Sequence, residues 1–184
     1  MLLIKDIADP RLETTLLSGG IAVIRTDTLY GLVARAQDEQ AVNKVYDAKG
    51  RNPHKSCVIL LDSPESSYGH VDELTHDIDA YHEVPTSFLI EADDAPWYLL
   101  RENKLLAYRV PSDSGLKSLL QRTGPLIAPS ANPEGADPAY TIHQAMEYFG
   151  ESVDIYVEGG EVPRDTPPSR IVRVHPDGTM EQLR

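Results

Sequence analysis

The chain has 184 residues, of which 41% are hydrophobic and 25% are charged, and its net charge is −12. This size and composition predict one globular domain over residues 1–184. The acidic balance repels nucleic acid at long range unless the basic residues cluster, so we expect RNA binding to be weak at most.

No segment approaches the roughly 20 consecutive apolar residues of a membrane span, and the first residues lack the basic region and apolar core of a signal peptide. We therefore expect a cytoplasmic protein that does not contact a membrane. The single cysteine, Cys57, excludes an internal disulfide and a cysteine-based zinc cage within one chain. Its apolar neighbours predict that it lies in a buried strand.

The first half of the chain alternates helices and strands. In each predicted helix, apolar residues recur every three to four positions. A helix-capping residue precedes them and a glycine follows them, which is typical of the two ends of a helix. A short run of apolar, β-branched residues predicts a buried strand. In chain order we predict a helix from Asp9 to Gly20, a strand over 21–24, a helix from near Asp38 to Gly50, a strand over 57–61 and, over 62–84, a loop with one short helix.

The second half continues the alternation, with a break at residues 95–97. We predict strands over 86–91 and 105–110, a helix capped by Ser112 or Ser114 and ending at Gly124, a strand over 126–128, a helix from Thr141 to Gly150, and strands over 153–157, 171–174 and 180–183. Strands and helices that alternate without repeats favour an α/β fold with one twisted, mixed sheet and flanking helices.

Two familiar kinds of site are not supported by the sequence. No Gly-x-Gly-x-x-Gly follows a strand, and residues 50–56 lack the second glycine of a P-loop. His70, His76 and His82 recur every six residues, but this spacing scatters them around a helix. The sequence therefore predicts no metal ligands among the protein side chains.

Two polar segments follow predicted elements in the first half, where open α/β sheets usually bind ligands. Residues 25–31 carry hydroxyls and a carboxylate suited to orienting an amino acid, but an ordinary turn after a strand explains them equally well. Lys49, Arg51 and Lys55 place three cations at a helix end, which suits a triphosphate. Favourable placement of cations at a helix C-terminus is the alternative explanation.

Two further segments lie in the second half. Arg109 alternates with apolar neighbours at the end of a predicted buried strand, so its charge needs a partner. A substrate carboxylate and an internal Asp or Glu both satisfy this requirement. Residues 129–135 are rich in turn-forming residues with hydroxyl and amide groups, and a simple turn accounts for them.

Taken together and in this order, the four segments resemble the YrdC family of L-threonylcarbamoyladenylate synthases. The family's patterns are Pro-Thr-(Asp/Glu)-Thr-x-Tyr-Gly, Lys-x-Arg, Val-Arg-x-Pro and Ser-Ala-Asn, and residues 167–172 resemble its later serine-containing segment. Arg25 stands at the family's proline, and residues 84–88 match its Pro-Gly-Pro-x-Thr segment poorly. The resemblance implies the short, single-domain bacterial form, with a twisted mixed sheet and a concave, ligand-binding face.

The resemblance also implies a role for ten residues. It implies that Thr28 and Tyr30 line a threonine site and that Arg109 lies near the amino acid or its carbamate. The residues implied to hold ATP are Lys49, Arg51, Ser130 and Asn132. In all, it implies catalytic roles for Lys49, Arg51 and Arg109, and ligand binding by Thr28, Tyr30, Lys55, Ser130, Asn132, Ser169 and Arg173.

The implied reaction makes L-threonylcarbamoyl-AMP from L-threonine, bicarbonate and ATP, with release of pyrophosphate, for threonylcarbamoyladenosine modification of tRNA. Mg²⁺ is expected with the triphosphate, and downstream tRNA threonylcarbamoyl transferase proteins are the expected receivers of the product. Two alternatives remain: a non-catalytic YrdC-like module that binds RNA or a ribosomal precursor, and a carbamoyl-handling domain detached from a larger transferase.

Overall fold

The structure is a computed structural model that describes residues 1–69 and 84–184. Within those residues, ten strands form one sheet. They are β1 Leu2–Ile4, β2 Ala22–Arg25, β3 Tyr30–Arg35, β4 Val58–Leu60, β5 Thr86–Glu91, β6 Leu105–Arg109, β7 Leu126–Ile127, β8 Ile155–Val157, β9 Arg170–Val174 and β10 Met180–Gln182. Their order is β1-β8-β2-β3-β7-β4-β6-β5-β9-β10. Parallel and antiparallel neighbours both occur, which confirms the predicted mixed sheet.

Within residues 1–69 and 84–184, five α-helices flank the sheet, and four of them begin at a residue whose side chain caps the first turn. They are α1 Pro10–Leu17, α2 Glu39–Lys49, α3 Trp97–Leu100, α4 Ser114–Thr123 and α5 Ile142–Phe149. Asp9, Asp38 and Thr141 accept hydrogen bonds from backbone N–H groups of the first turn, as predicted. The predicted cap of α4 by Ser112 or Ser114 is wrong, because the Asp113 carboxylate accepts from the Leu116 N–H at 2.7 Å.

Two strands were absent from the sequence prediction. β3 lies in the middle of the sheet between β2 and β7, and its residues Tyr30–Ala34 are buried. Its sequence contains one β-branched residue, Val33, and a glycine, Gly31, and it directly follows a polar segment, so the local signal for a strand is weak. β1 is only three residues long and lies at an edge of the sheet.

Residues 62–84, predicted as loop with a short helix, are described in part. The structure shows a short 3-10 helix over Pro64–Ser66. Residues 70–83, which include the three regularly spaced histidines, lie outside the described residues. No helix within the described ranges is long and apolar enough to cross a membrane.

The hydrophobic core divides between the two faces of the sheet. The first cluster packs α2, α3 and α5 against one face and takes residues from β2 to β9, such as Val23, Phe88 and Tyr108. The second cluster packs α1 and α4 against the other face, around Ile24, Val33 and Leu60 among others. This second cluster includes no described residue of β5, β6 or β9. That part of the second face therefore lacks a covering helix among the described residues.

Candidate functional site

A cleft of about 420 Å³ lies over the uncovered part of the second face. This volume is within the range of small-molecule sites. Pairing register places Val58 of β4, Ala107 of β6 and Leu89 of β5 side by side in the cleft floor. Gly31 of β3 and Ile171 of β9 extend this floor on either side. Polar side chains from distant segments surround the floor.

Arg109, at the end of β6, is buried at the cleft and paired with Asp27. Its Nη2 lies 3.0 Å from Asp27 Oδ1, and the two side chains are 6% and 7% exposed. Its guanidinium also donates to the hydroxyls of Thr26 and Thr28 at 3.4 and 3.5 Å. Burial lowers the pKa of Arg109, and Asp27 opposes that effect. Of the two partners left open by the sequence, the structure shows the internal carboxylate.

The donors of Arg109 are not all used by the protein. Its Nε is buried and makes no hydrogen bond among the described residues. Buried donors without a partner are uncommon in folded proteins, and each one calls for an explanation. A ligand oxygen in the cleft is one such explanation, because Arg109 and Thr28 both line the cleft.

Tyr30 connects the cleft to the Gly159–Gly160 segment. Its hydroxyl donates to the Gly160 carbonyl at 2.8 Å and accepts from the Gly159 N–H at 2.9 Å. Arg25, at the family's proline position, donates from Nη1 to the Gly159 carbonyl and does not line the cleft. A Cβ at Gly159 would lie only 2.5 Å from the Arg25 Cβ, so this close approach requires glycine.

Lys49 lies behind the wall of the cleft, where it joins the end of α2 to residues 129–135. Its side chain is buried, and Nζ donates to the carbonyls of Ser130 and Asn132 and, at 3.4 Å, to Asn132 Oδ1. Burial, together with the nearby Arg51, lowers the pKa of Lys49 to about 8. The side chain therefore fixes the position of Ser130, which lines the cleft.

Raising the pH is expected to stabilise this protein relative to its Lys49→Met variant. The pKa of Lys49 is about 8 in the folded protein and 10.5 ordinarily, so the unfolded chain binds more protons between these values. The free energy of unfolding then increases with pH through that window. Urea unfolding of both proteins at several pH values in this window measures the effect. Tyrosine side chains also ionise at high pH, but they contribute equally in both proteins, so the difference between the two reports on Lys49. A difference between the two proteins that does not change with pH would contradict this account.

Arg51 lines the cleft from the loop after α2. Nη2 donates to the Ser56 carbonyl at 2.7 Å and Nε to the Lys55 carbonyl at 3.3 Å, while the guanidinium carbon lies 5.8 Å from the centre of the Tyr46 ring. These contacts hold the side chain in place. Gly50, in the left-handed conformation at φ 58°, ends α2 and turns the chain toward this position.

Ser130, Asn132 and Ser169 differ in how far the fold uses them. Asn132 Oδ1 accepts from the Ser130 hydroxyl at 2.6 Å, and its amide donates to two nearby carbonyls, so Asn132 orders the turn. Ser169 shares a hydrogen bond with Ser87 at 2.9 Å. Ser130 and Ser169 line the cleft, whereas Asn132 does not.

The structure thus brings six of the ten residues named from the sequence to one cleft. These are Thr28, Tyr30, Arg51, Arg109, Ser130 and Ser169. Lys49 and Asn132 lie behind its wall, and Lys55 and Arg173 line a neighbouring cavity. Arg184, which was not among the residues named from the sequence, also lines the cleft, and its side chain donates to the Ser169 carbonyl at 2.9 Å. It follows an edge strand, and no pattern in the sequence marks it.

Both the sequence and the fold of this chain are similar to those of known proteins. The Sua5/YciO/YrdC family model, described as telomere recombination, matches residues 14–184. Threonylcarbamoyl-AMP synthase of Pseudoalteromonas atlantica is 28% identical over 172 residues, which are 89% of this chain and 91% of that protein. The synthase of Marinobacter nauticus is 28% identical over 167 residues, which are 87% of each chain.

Several solved structures share the fold, among them P. abyssi Sua5 and E. coli YciO. P. abyssi Sua5, complexed with L-threonine, matches with a TM-score of 0.87 at 22% identity, over 100% of this chain and 57% of that chain. This chain therefore spans little more than half the length of that protein. E. coli YciO matches with a TM-score of 0.80 at 21% identity, over 100% of this chain and 93% of the other.

Proposed function

The chain belongs to the Sua5/YciO/YrdC family, which confirms the resemblance seen in its motifs, and we propose that it synthesises threonylcarbamoyl-AMP. One observation carries the proposal: a single cleft collects residues of the family motifs from separate segments of the chain. They are Thr28, Tyr30, Arg51, Arg109 and Ser130. We also propose that residues 1–184 form one domain of this family.

The proposed reaction has two steps. The amine of threonine combines with bicarbonate to give a carbamate and water. A carbamate oxygen then attacks the α-phosphorus of ATP, the bond to the β-phosphate oxygen breaks, and pyrophosphate leaves with the electron pair. Neither step needs a nucleophile from the protein, so alignment and charge stabilisation are the contributions required of it.

The cleft supplies side chains suited to both tasks. Arg109, held by Asp27 and next to Thr28, is positioned for the carboxylate or carbamate of threonine. Arg51 and Ser130 offer donors to phosphate oxygens, and Lys49 fixes the backbone that presents Ser130. Because these donors are held by the fold before substrate arrives, little reorganisation is needed as charge develops.

Mg²⁺ is proposed to enter as part of the substrate, MgATP. Within residues 1–69 and 84–184, no group of three or more His, Cys, Asp or Glu side chains is arranged to hold a metal ion. The buried carboxylate of Asp27 is already paired with Arg109. Mg²⁺ commonly binds through substrate phosphates and keeps several waters, which fits a cleft lined by donors rather than carboxylates.

The activity is tested by incubating the pure protein with MgATP, bicarbonate and threonine and measuring pyrophosphate. We expect release that requires all three substrates and falls when valine, which has the same shape without the hydroxyl, replaces threonine. Absence of threonine-dependent release under all conditions would contradict the proposal. Release with carbamoyl phosphate in place of bicarbonate and threonine would instead indicate a carbamoyl-handling domain.

We further propose that the protein acts in the cytoplasm and passes its product to tRNA threonylcarbamoyl transferase proteins. A mixed carbamic–phosphoric anhydride is reactive toward water, which favours prompt transfer. The net charge of −12 supports at most weak RNA binding by this chain itself. Titration with RNA that showed tight binding, without binding of ATP or threonine, would favour the non-catalytic module instead.

A further inference from the structure

We propose that Arg25 is a positioning residue for the threonine site, which acts by holding the Gly159–Gly160 segment against Tyr30; this rests on the proposed function. Arg25 ends β2 and does not line the cleft. Tyr30 begins β3, lines the cleft and is the partner of Arg25 in the pairing of β2 with β3. Cross-strand partners present their side chains to the same face of a sheet, so the two side chains can reach one segment together.

Both side chains bind the backbone of the segment that follows β8. Arg25 Nη1 donates to the Gly159 carbonyl at 2.6 Å. The Tyr30 hydroxyl accepts from the Gly159 N–H at 2.9 Å and donates to the Gly160 carbonyl at 2.8 Å. Burial raises the pKa of Tyr30, so the hydroxyl keeps the proton that it donates. The position of the Tyr30 side chain in the cleft wall therefore depends on where these two glycines lie.

The two glycines need an outside contact to stay in one place, because glycine has the greatest backbone freedom of any residue. Gly160 adopts φ 78°, in the left-handed region. A Cβ at Gly159 would lie 2.5 Å from the Arg25 Cβ, so the arginine packs closely on the segment as well as donating to it. Proline, the family's residue at position 25, has no side-chain donor and could not make this hydrogen bond.

The expected effect falls on threonine because Arg25 and Tyr30 form the base of the loop that holds Arg109. Residues 26–29 connect Arg25 to Tyr30, and the first three of them contact the Arg109 guanidinium. Arg109 is proposed to face the carboxylate or carbamate of threonine. Arg51, proposed to contact phosphate, is held instead by residues of its own loop and of α2. Loss of the Arg25 contact should therefore weaken threonine binding and leave ATP binding unchanged.

Calorimetric titration with L-threonine and steady-state kinetics test this role in Arg25→Met, which keeps an unbranched side chain without a donor. We expect the Kd and KM for threonine to rise about tenfold, since a hydrogen bond from a charged group is lost, while kcat and the KM for ATP stay unchanged. Arg25→Lys keeps a charged donor and should recover part of the affinity. The matched control is Lys5→Met, which removes another exposed cation from the cavity that Arg25 lines on the outer side of the loop.

Amide hydrogen exchange of the ligand-free protein tests the contact itself. The Gly159 N–H is bound by the Tyr30 hydroxyl, so its exchange should become faster in Arg25→Met and stay unchanged in Lys5→Met. This measurement needs neither substrate nor turnover. It therefore separates an error in the role of Arg25 from an error in the proposed reaction.

Three outcomes would overturn the role of Arg25: unchanged threonine affinity in Arg25→Met, an equal loss of affinity in Lys5→Met, or an equal loss of ATP affinity. Lower stability of Arg25→Met with threonine affinity unchanged falls under the first of these and would show a contact that serves only the fold. Faster exchange at Gly159 in a protein whose parent does not bind threonine would support the positioning of Tyr30 by Arg25 and contradict the proposed reaction.

Discussion

Arg109→Ala is expected to abolish threonine-dependent pyrophosphate release and to lower the free energy of unfolding by about 3–5 kcal/mol. The substitution removes the cation proposed to face the amino acid and leaves the Asp27 carboxylate, 7% exposed, without its ion-pair partner. An unpaired buried charge costs more than a lost surface contact because water no longer solvates it. Urea unfolding and the pyrophosphate assay measure the two effects.

A double-mutant cycle separates the ion pair from other losses at this position. Asp27→Ala should also destabilise the protein, whereas Asp27→Ala/Arg109→Ala should cost clearly less than the sum of the two single changes. Additive costs would show that the two side chains do not depend on each other. Activity should not return in the double variant, since Arg109 is still missing.

Arg51→Ala is expected to reduce kcat/KM for ATP by about 10²–10³, the range found when a single preorganised donor is removed. The guanidinium is fixed by the Ser56 carbonyl and the Tyr46 ring and faces the cleft, so its loss removes an ordered cation at the proposed phosphate position. Steady-state kinetics with varied ATP gives the value.

Arg51→Lys is the matched variant, and we expect it to recover only part of the lost rate. Lysine keeps the charge but lacks the planar set of donors that contacts phosphate and carbonyl oxygens together. The folded stability of both variants should stay close to that of the parent, since Arg51 is only half-buried. Full activity in Arg51→Ala would exclude Arg51 from the phosphate site.

The elements that could be predicted from sequence are those with a local signal. Helices α1, α2 and α5 carry a polar cap, an apolar face and a closing glycine in the sequence, and their ends were found closely. β3 was missed because Val33 is its single β-branched residue and Gly31 lies within it, so its strand signal is weak. The cap of α4 was misassigned by one residue, because serine and aspartate are both good caps and only geometry separates them.

For the site, the sequence predicted residues within separate motifs but not the contacts between those motifs. Thr28, Arg51, Arg109 and Ser130 were named from four motifs, and the structure places them on one cleft. Their pairings were not predictable, since Asp27 meets Arg109 across 82 positions of the chain only when β2, β3 and β6 have assembled. Arg184 lies in no motif and reaches the cleft through the pairing of β10 with β9.

Among the described residues, helices cover only part of the second face of the sheet, and this affects the stability of the protein. Where α1 and α4 cover the second face, folding alone removes apolar side chains from water. Val58, Ala107, Leu89 and Ile171 line the cleft instead, and we expect bound substrate to cover them there. A ligand that binds only the folded state stabilises it by mass action. We therefore expect the free energy of unfolding to be higher with substrate bound in the cleft than without it.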